Sequence, residues 1–264
     1  MIETTLSYLR PMSERPYYYN TKPPPDTPWR NTKGDFRRVS VHDARDLPNA
    51  PGLDREGFAL ARVETRASDL YDAAAVRAVF YPEVCEVVRR ATGARRVLAF
   101  DHNVRNADRA ALGEDGAQGP VKLVHNDYTE ASGPQRVRDL LPDEADALLT
   151  RRFAVINVWK PIRGPVEQSP LGFCDAGSIA PEDMLPTDLI YADRSGEIYS
   201  FLWRETHRWF YYPAMRDDEA LLLKCYDSRR DCARFTAHSA FDDPGSPEDA
   251  AVRESIEVRT LAFW

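Results

Sequence analysis

The stretch FAVINVWKPI, residues 153–162, is rich in β-branched residues and alternates in character along its length. That pattern predicts a β-strand. Further short strands are expected in the segments that follow, separated by turn residues: SPLGFCDAGSI (169–179), DLIYAD (188–193), GEIYSFLWRE (196–205), HRWFYY (207–212), ALLLKCYDS (220–228) and RESIEVRTLAFW (253–264). Many short strands at this spacing are typical of an antiparallel sandwich or barrel.

The chain before residue 153 mixes helices with strands. The spacing of apolar residues predicts helices at 72–93, where Pro82 divides the pattern, and at 134–151. Strands are predicted at 57–65, 95–105 and 121–129. We therefore expect an α+β fold in which N-terminal helices pack on a C-terminal double-sheet jelly roll.

The first 55 residues are rich in proline and aromatic side chains, as in RPYYYNTKPPPDTPWRN (15–31). The run Pro23–Pro25 forbids a helix there. The tyrosines and Trp29 are too apolar for a disordered tail, so we expect an extended segment that lies across the body of the domain. The chain is thus interpreted as one domain, 1–264, in which 1–93 walls a pocket and 94–264 forms the jelly-roll core.

Composition excludes several classes of protein. The formal net charge of -7 and pI of about 5.4 argue against a broad surface for nucleic acid or an anionic membrane. No apolar run approaches the roughly 20 residues of a membrane helix, and no signal peptide is expected.

The four cysteines form no CxxC pair, which favours free thiols over a zinc ribbon or disulfide framework. A cytoplasmic location is expected.

The stretch LVHNDYT, 123–129, contains His125 and Asp127 two residues apart. On a strand, residues i and i+2 point to the same side, so an imidazole and a carboxylate could face one metal ion. A second histidine would complete the facial arrangement of two histidines and one carboxylate that non-haem Fe(II) oxygenases use. Two of the five histidines are downstream candidates, His207 and His238.

The residues that follow each histidine favour His238. A 2-oxoglutarate co-substrate needs a fixed cation for its far carboxylate, best supplied by arginine with a hydroxyl nearby. Arg253 and Ser255 follow His238 on the last predicted strand, whereas His207 has no arginine at comparable strand spacing after it. One face of that strand would carry Arg253, Ser255, Glu257 and Arg259, and the other face Ile256, Val258 and Thr260.

The order His-x-Asp, a distant His and a late Arg-x-Ser resembles the 2-oxoglutarate/Fe(II)-dependent dioxygenase superfamily. The strings INVWKPIRGPVEQSPLGFCDA, HRWFYYPAM, LLLKCYDSRRDCARFTAHSAF and RESIEVR are similar to one branch of it. That branch includes the cephamycin 7α-methoxylation accessory protein, gibberellin desaturase-like proteins and fungal meroterpenoid oxygenases. The resemblance covers roughly residues 90 to 264. Alanine precedes His238 where the branch would have proline, which changes a loop and no ligand.

The resemblance implies a double-stranded β-helix core and the oxidation of a small secondary metabolite with Fe(II), 2-oxoglutarate and O2. His125, Asp127 and His238 would bind the metal. Arg253 would hold the co-substrate, with Ser255 assisting and Arg259 in reserve. Asn157 and Trp159, which point the same way on their strand, would border both, and Tyr128 and His207 are candidate substrate contacts.

Two alternatives remain open at this point. A cupin-type metal enzyme would use the same barrel without 2-oxoglutarate, but it has no use for the Arg-x-Ser pair. A non-catalytic jelly-roll partner of a tailoring enzyme would have no need for an intact triad. Lys224, inside an apolar strand, is expected either to form an ion pair with a carboxylate or to bind a second anion.

Overall fold

Two β-sheets make up most of the fold, and helices cover the outer side of one of them. The computed structural model describes residues 1–114 and 116–264. In chain order the strands are β1 (Ile2–Leu9), β2 (Tyr17–Tyr19), β3 (Gly34–Asp43), β4 (Phe58–Arg62), β5 (Arg96–Arg105), β6 (Ala117–Gln118), β7 (His125–Asn126), β8 (Phe153–Pro161), β9 (Leu171–Cys174), β10 (Met184–Ile190), β11 (Ser195–Phe201), β12 (Trp209–Tyr211), β13 (Glu219–Asp227), β14 (His238–Ala240) and β15 (Ser255–Phe263).

The helices are short and lie mainly between β4 and β8. They are α1 (Ala73–Ala75), a π-helical turn (Val76–Phe80), α2 (Tyr81–Thr92), α3 (Ala107–Ala111), α4 (Ser132–Leu140) and α5 (Ala145–Leu149), with 3-10 turns at Ala44–Asp46, Ala176–Ser178 and Pro181–Asp183. No helix that the structure describes combines the length and the apolarity needed to cross a membrane.

The described strands form a nine-stranded and a six-stranded sheet. The first has the order β1-β3-β12-β9-β14-β7-β11-β10-β2, and the second β4-β13-β8-β15-β5-β6. Neighbouring strands are antiparallel except for β2 with β10, β3 with β12 and β5 with β6. The predicted double-sheet architecture, with strands that are mostly antiparallel, is therefore confirmed.

Strand β8 shows why this sequence forms two cores. It lies between β13 and β15 and is buried along its whole length. Alternate side chains of a strand point to opposite faces. One face of β8 packs between the two sheets, through Phe153, Val155 and Trp159. The other packs in the cluster that includes the α2 side chains Val84 and Val88, through Ala154, Ile156 and Val158.

The helix predicted at 72–93 is present as the continuous run of α1, the π-helical turn and α2. Asp72 caps its start by accepting a hydrogen bond from the Ala74 N–H, and Gly93 ends it with a φ of 70°. Pro82 lies inside this run and has no N–H for the helical hydrogen bond, and the π-helical turn just before it marks the irregularity. The segment predicted to be helical at 134–151 contains two helices, α4 and α5, with Pro142 between them.

The first 93 residues contribute to both sheets. The segment 1–55 is extended as predicted, but its strands β1, β2 and β3 belong to the nine-stranded sheet, and β4 pairs with β13 in the other. The prediction had placed the jelly-roll core in 94–264 alone. The difference arises because β3 pairs with β12 and β2 pairs with β10, strands that lie far away in the sequence.

The four cysteines are free thiols, as expected. Cys174 and Cys225 are fully buried, and Cys85 and Cys232 are partly buried.

Lys224, on β13, forms the predicted ion pair. Its Nζ lies 2.8 Å from Oδ2 of Asp227 and also contacts Asp54, while Arg152 lies 2.7 Å from the same Asp227 oxygen. Burial alone would raise the pKa of Asp227, but hydrogen bonds from Arg152 and Lys224 bring it below its usual value. The network ties β13 to Arg152, which immediately precedes β8, and to the loop before β4.

Replacing Lys224 with alanine is expected to destabilise the fold by about 3–5 kcal/mol, since it leaves a buried charge without one partner. Lys122, which pairs with Asp242 on the surface, is the matched control. Its alanine variant is expected to lose less than about 1 kcal/mol. Urea unfolding of both variants measures the difference, and equal midpoints would show that Lys224 does not stabilise the fold through this pair.

Candidate functional site

Three side chains predicted to act together meet in the middle of the nine-stranded sheet, where β14 and β7 are neighbours. His125 of β7 and His238 of β14 are paired directly opposite one another, and their ring centroids are 4.4 Å apart. Opposite residues on neighbouring strands point to the same side of a sheet. Asp127 follows β7, with Oδ1 3.6 Å from Nε2 of His125. One potential ligand atom from each of the three residues lies within 4.8 Å of the others.

Both imidazoles are oriented by a backbone carbonyl. Nδ1 of His125 lies 2.7 Å from the Leu123 oxygen, and Nδ1 of His238 lies 3.0 Å from the Thr236 oxygen. Because a carbonyl only accepts, each Nδ1 carries the proton and each Nε2 keeps a free lone pair. Burial, and then the neighbouring His238, lowers the pKa of His125 to about 4. His125 is therefore neutral at pH 7, as a metal ligand must be.

Asp127 is held through only one of its two oxygens. Asn157 donates to Oδ2 at 2.8 Å and Arg259 donates to the same oxygen at 2.9 Å. Burial alone would raise the pKa of this carboxyl, but Arg259 and the two histidines hold it well below its usual range. Asp127 is thus ionised at pH 7, with Oδ1 turned toward the histidines.

Asn126 fixes the backbone between His125 and Asp127. Its Nδ2 donates to the carbonyls of Tyr128 and Cys225, and its Oδ1 accepts from the Thr236 N–H. A strand was predicted over 121–129, but only His125–Asn126 pairs with neighbouring strands. Hydrogen bonds from the Asn126 side chain take the place of the missing strand pairing and keep His125 and Asp127 on the same side.

Arg253 and Ser255 lie at the start of β15, facing between the sheets. Arg253 is 3% exposed, its Nη1 donates to the Ser169 carbonyl at 2.6 Å, and its guanidinium lies 5.5 Å from the centroid of the Trp159 ring. Arg253 Nε and Ser255 Oγ are buried and have no hydrogen-bond partner among the described residues. Buried donors left unpaired are costly, so this pair fits an anionic group such as a carboxylate.

One cavity joins the histidines to Arg253. It is small, with a volume of about 20 Å³, and is lined by Arg105, Val121, His125, Trp159, Leu171, His238, Ala240, Arg253 and Glu257. Burial, and then the nearby Arg105, lowers the pKa of Arg253 to about 9, which is the effect expected of two cations that share one enclosed space. Arg105 was not singled out from the sequence, because it marks only the end of a predicted strand.

Arg259 and Asn157 both lie against Asp127, one of the predicted metal ligands. Arg259 also bonds Asp101 at 3.1 Å and Glu257 at 3.3 Å. The guanidinium of Arg259 is thus shared among three carboxylates, which argues against the role of reserve anion clamp predicted for it. Trp159 lines the cavity together with His125, His238 and Arg253.

His207 lies apart from His125, Asp127 and His238. Its Nε2 lies 3.1 Å from Asp183, its Nδ1 lies 3.2 Å from the Tyr8 hydroxyl, and its ring stacks on Tyr8. Because both ring nitrogens of His207 have hydrogen-bond partners, we interpret it as a structural histidine. Tyr128, the other candidate substrate contact, is 5% exposed and packs in the core between the sheets.

A second cluster of potential metal ligands is formed by Asp54, Asp227 and Cys232. Lys224, Arg152 and Arg229 pair with its two carboxylates. The charges of these carboxylates are already balanced by cations, so the cluster is an ion-pair network and not a metal centre.

Comparisons with known proteins agree with this geometry. A family model described as an oxidoreductase/YMDC permease-like domain matches residues 6–263. The Fe(II)/2-oxoglutarate-dependent dioxygenase nvfI of Aspergillus novofumigatus is 33% identical over 93% of this chain and 90% of the relative. The alpha-ketoglutarate-dependent dioxygenase phiK of Fungal sp. is 35% identical over 87% and 85%. A solved structure of the iron and alpha-ketoglutarate-dependent endoperoxidase NvfI superposes with a TM-score of 0.90 at 31% identity, covering 99% of this chain and 97% of that one.

Proposed function

The chain belongs to the Fe(II)/2-oxoglutarate-dependent dioxygenases, with a jelly-roll core, and we propose that His125, Asp127 and His238 bind its Fe(II). The observation that carries this assignment is that His125, His238 and Asp127 each bring one potential ligand atom within 4.8 Å of the others. The Nδ1 atoms of both histidines and Oδ2 of Asp127 are already hydrogen-bonded, which leaves the two Nε2 atoms and Oδ1 to bind a metal. Two histidines and one carboxylate leave three positions open on an octahedral iron. The family uses Fe(II), 2-oxoglutarate and O2.

We propose that Arg253 and Ser255 bind the distal carboxylate of 2-oxoglutarate. The support is the pair of buried donors without a hydrogen-bond partner among the described residues, Arg253 Nε and Ser255 Oγ, and the cavity that Arg253 lines together with both histidines. Arginine suits this task because its planar fork matches a carboxylate. Trp159 closes one side of the cavity against the Arg253 guanidinium and helps to exclude water from it.

Fe(II) with 2-oxoglutarate and O2 supplies the oxidation of a C–H bond, with release of succinate and CO2. We propose that the substrate is a small secondary metabolite and that the outcome is hydroxylation, desaturation or cyclisation. Which of these occurs depends on where the protein holds the reacting C–H bond. We also propose that the protein acts in the cytoplasm, where reducing conditions keep its four free thiols reduced.

The experiment that tests the proposed function measures iron content, 2-oxoglutarate binding under anaerobic conditions and succinate formation in air. We expect one iron per chain, co-substrate binding that requires iron, and succinate formation that stops when the metal is removed by a chelator. A protein that binds iron but no 2-oxoglutarate would support a cupin-type metal enzyme instead.

Asn157 is expected to act as a positioning residue for Asp127. Replacing it with alanine frees the carboxylate to rotate, and we expect iron affinity to fall about 10–100-fold, as for other changes beside a metal ligand. A metal titration measures the effect, and thermal unfolding of the metal-free protein separates it from a loss of stability. Asn20, which is exposed, is the matched control. Unchanged iron affinity in Asn157→Ala would exclude the positioning role.

A further inference from the structure

Arg105 lies beside the proposed co-substrate donors. It is the last residue of β5 and is directly opposite Ser255 in the ladder between β5 and β15. Opposite residues share a face, and Arg253 precedes Ser255 by two residues, so all three side chains lie on the same side. Arg105 and Arg253 both line the cavity.

The position of the Arg105 guanidinium is fixed from one side. Nη1 donates to Gln118 Oε1 at 3.2 Å and to the Gly119 carbonyl at 2.9 Å. These neutral acceptors hold the group in place without neutralising it. Burial lowers the pKa of Arg105, and Glu257 offsets this only in part. Arg105 is partly buried, and a guanidinium whose hydrogen-bond partners are neutral keeps its charge available for an anionic ligand.

The register places Arg105 beside the Ser255 end of β15, away from Arg259. Along β15, Arg259 is the residue that contacts Asp127, and Ser255 lies four residues earlier. At about 3.3 Å per residue these two positions are roughly 13 Å apart along the strand. Arg105 faces the Ser255 end, so the distal part of a bound diacid is the part within its reach.

We propose that Arg105 is a second anchor for the distal carboxylate of 2-oxoglutarate and a determinant of selectivity for a diacid over a monoacid. With Arg253 and Ser255 it would surround this carboxylate from two neighbouring strands. The proposal rests on the proposed function, since it requires 2-oxoglutarate as co-substrate. It assigns a role in binding to a residue outside the Arg-x-Ser pair.

The test compares two ligands that differ only in the distal group. Calorimetry on the Fe(II)-loaded protein without O2 measures the affinity for 2-oxoglutarate and for 2-oxopentanoate, which has the same chain without the second carboxylate. We expect Arg105→Met to weaken 2-oxoglutarate binding roughly 10–100-fold and 2-oxopentanoate binding by less than about threefold. Arg105→Lys should fall between these values, because lysine keeps the charge but not the planar fork. Arg138→Met, an exposed change in α4, should leave both affinities unchanged.

The ratio of the two affinities separates a specific effect from damage to the fold, because a damaged pocket would weaken the binding of both ligands. An equal loss for both ligands, or no loss for either, would overturn the role of Arg105. If Arg253→Met removes the selectivity and Arg105→Met does not, the inference fails while the proposed function stands. If the wild-type protein binds iron but neither ligand, the proposed function itself fails.

Discussion

His238→Ala is expected to abolish iron binding and, with it, all succinate formation. The change removes one of three ligands, and even changes beside a ligand commonly cost 10–100-fold in metal affinity, so we expect a loss of at least about 100-fold. His238 is 2% exposed and pairs directly with His125. Iron content after anaerobic loading and desalting measures the effect.

His207→Ala is the control for this prediction. His207 is buried against Tyr8 and Asp183, so its loss should lower thermal stability while one iron per chain is retained. The opposite pattern, with iron lost in His207→Ala and kept in His238→Ala, would contradict the assignment of the third ligand.

Arg253→Met is expected to remove most 2-oxoglutarate binding while the iron site stays intact. A buried charge pair that loses one partner typically costs about 2–5 kcal/mol, which corresponds to a loss of affinity on the order of 30-fold to several thousand-fold. Arg253→Lys should recover part of this loss. Anaerobic calorimetry on the Fe(II)-loaded protein measures the affinity, and iron content is measured on the same sample.

Arg163→Met is the matched control, because Arg163 is an exposed arginine in the loop after β8. It should bind 2-oxoglutarate as tightly as the wild-type protein. If Arg253→Met binds the co-substrate normally, the clamp lies elsewhere in the cavity, and the unpaired donors of Arg253 and Ser255 have another purpose.

The periodicity of the sequence was sufficient to predict the two-sheet fold. In β8, one set of alternate side chains enters the core between the sheets and the other packs toward α2. The facing of β15 was also predictable, since Ser255 and Glu257 point inward while Ile256 and Val258 point outward. Because successive side chains of a strand point to opposite faces, the face of each residue can be predicted without knowing which strands are neighbours.

The proximity of His125, Asp127 and His238 was predictable, but for a partly different reason from the one assumed. A long strand was predicted around His125 and Asp127, whereas the strand is two residues long and the side chain of Asn126 maintains the geometry. The spacing between His238 and Arg253 was sufficient to prefer His238 over His207.

The roles of Arg105, Asn157 and Arg259 were not predictable from the sequence in the same way. Each depends on which strands are neighbours: Arg105 faces Ser255 because β5 adjoins β15, and Asn157 lies opposite Arg259 because β8 adjoins β15. Sheet order is set by contacts between segments as many as 171 residues apart, as for Tyr17 and Asp188. The same limit explains why the strands of the first 55 residues were read only as an extended segment.

A crystal structure of the protein grown without O2, with Fe(II) and 2-oxoglutarate, tests the central claim most directly. The predicted result is iron bonded to Nε2 of His125, Nε2 of His238 and Oδ1 of Asp127, with the distal carboxylate of 2-oxoglutarate on Arg253 and Ser255. Iron at the Asp54, Asp227 and Cys232 cluster, or a co-substrate carboxylate on Arg259 and away from Arg253, would contradict it.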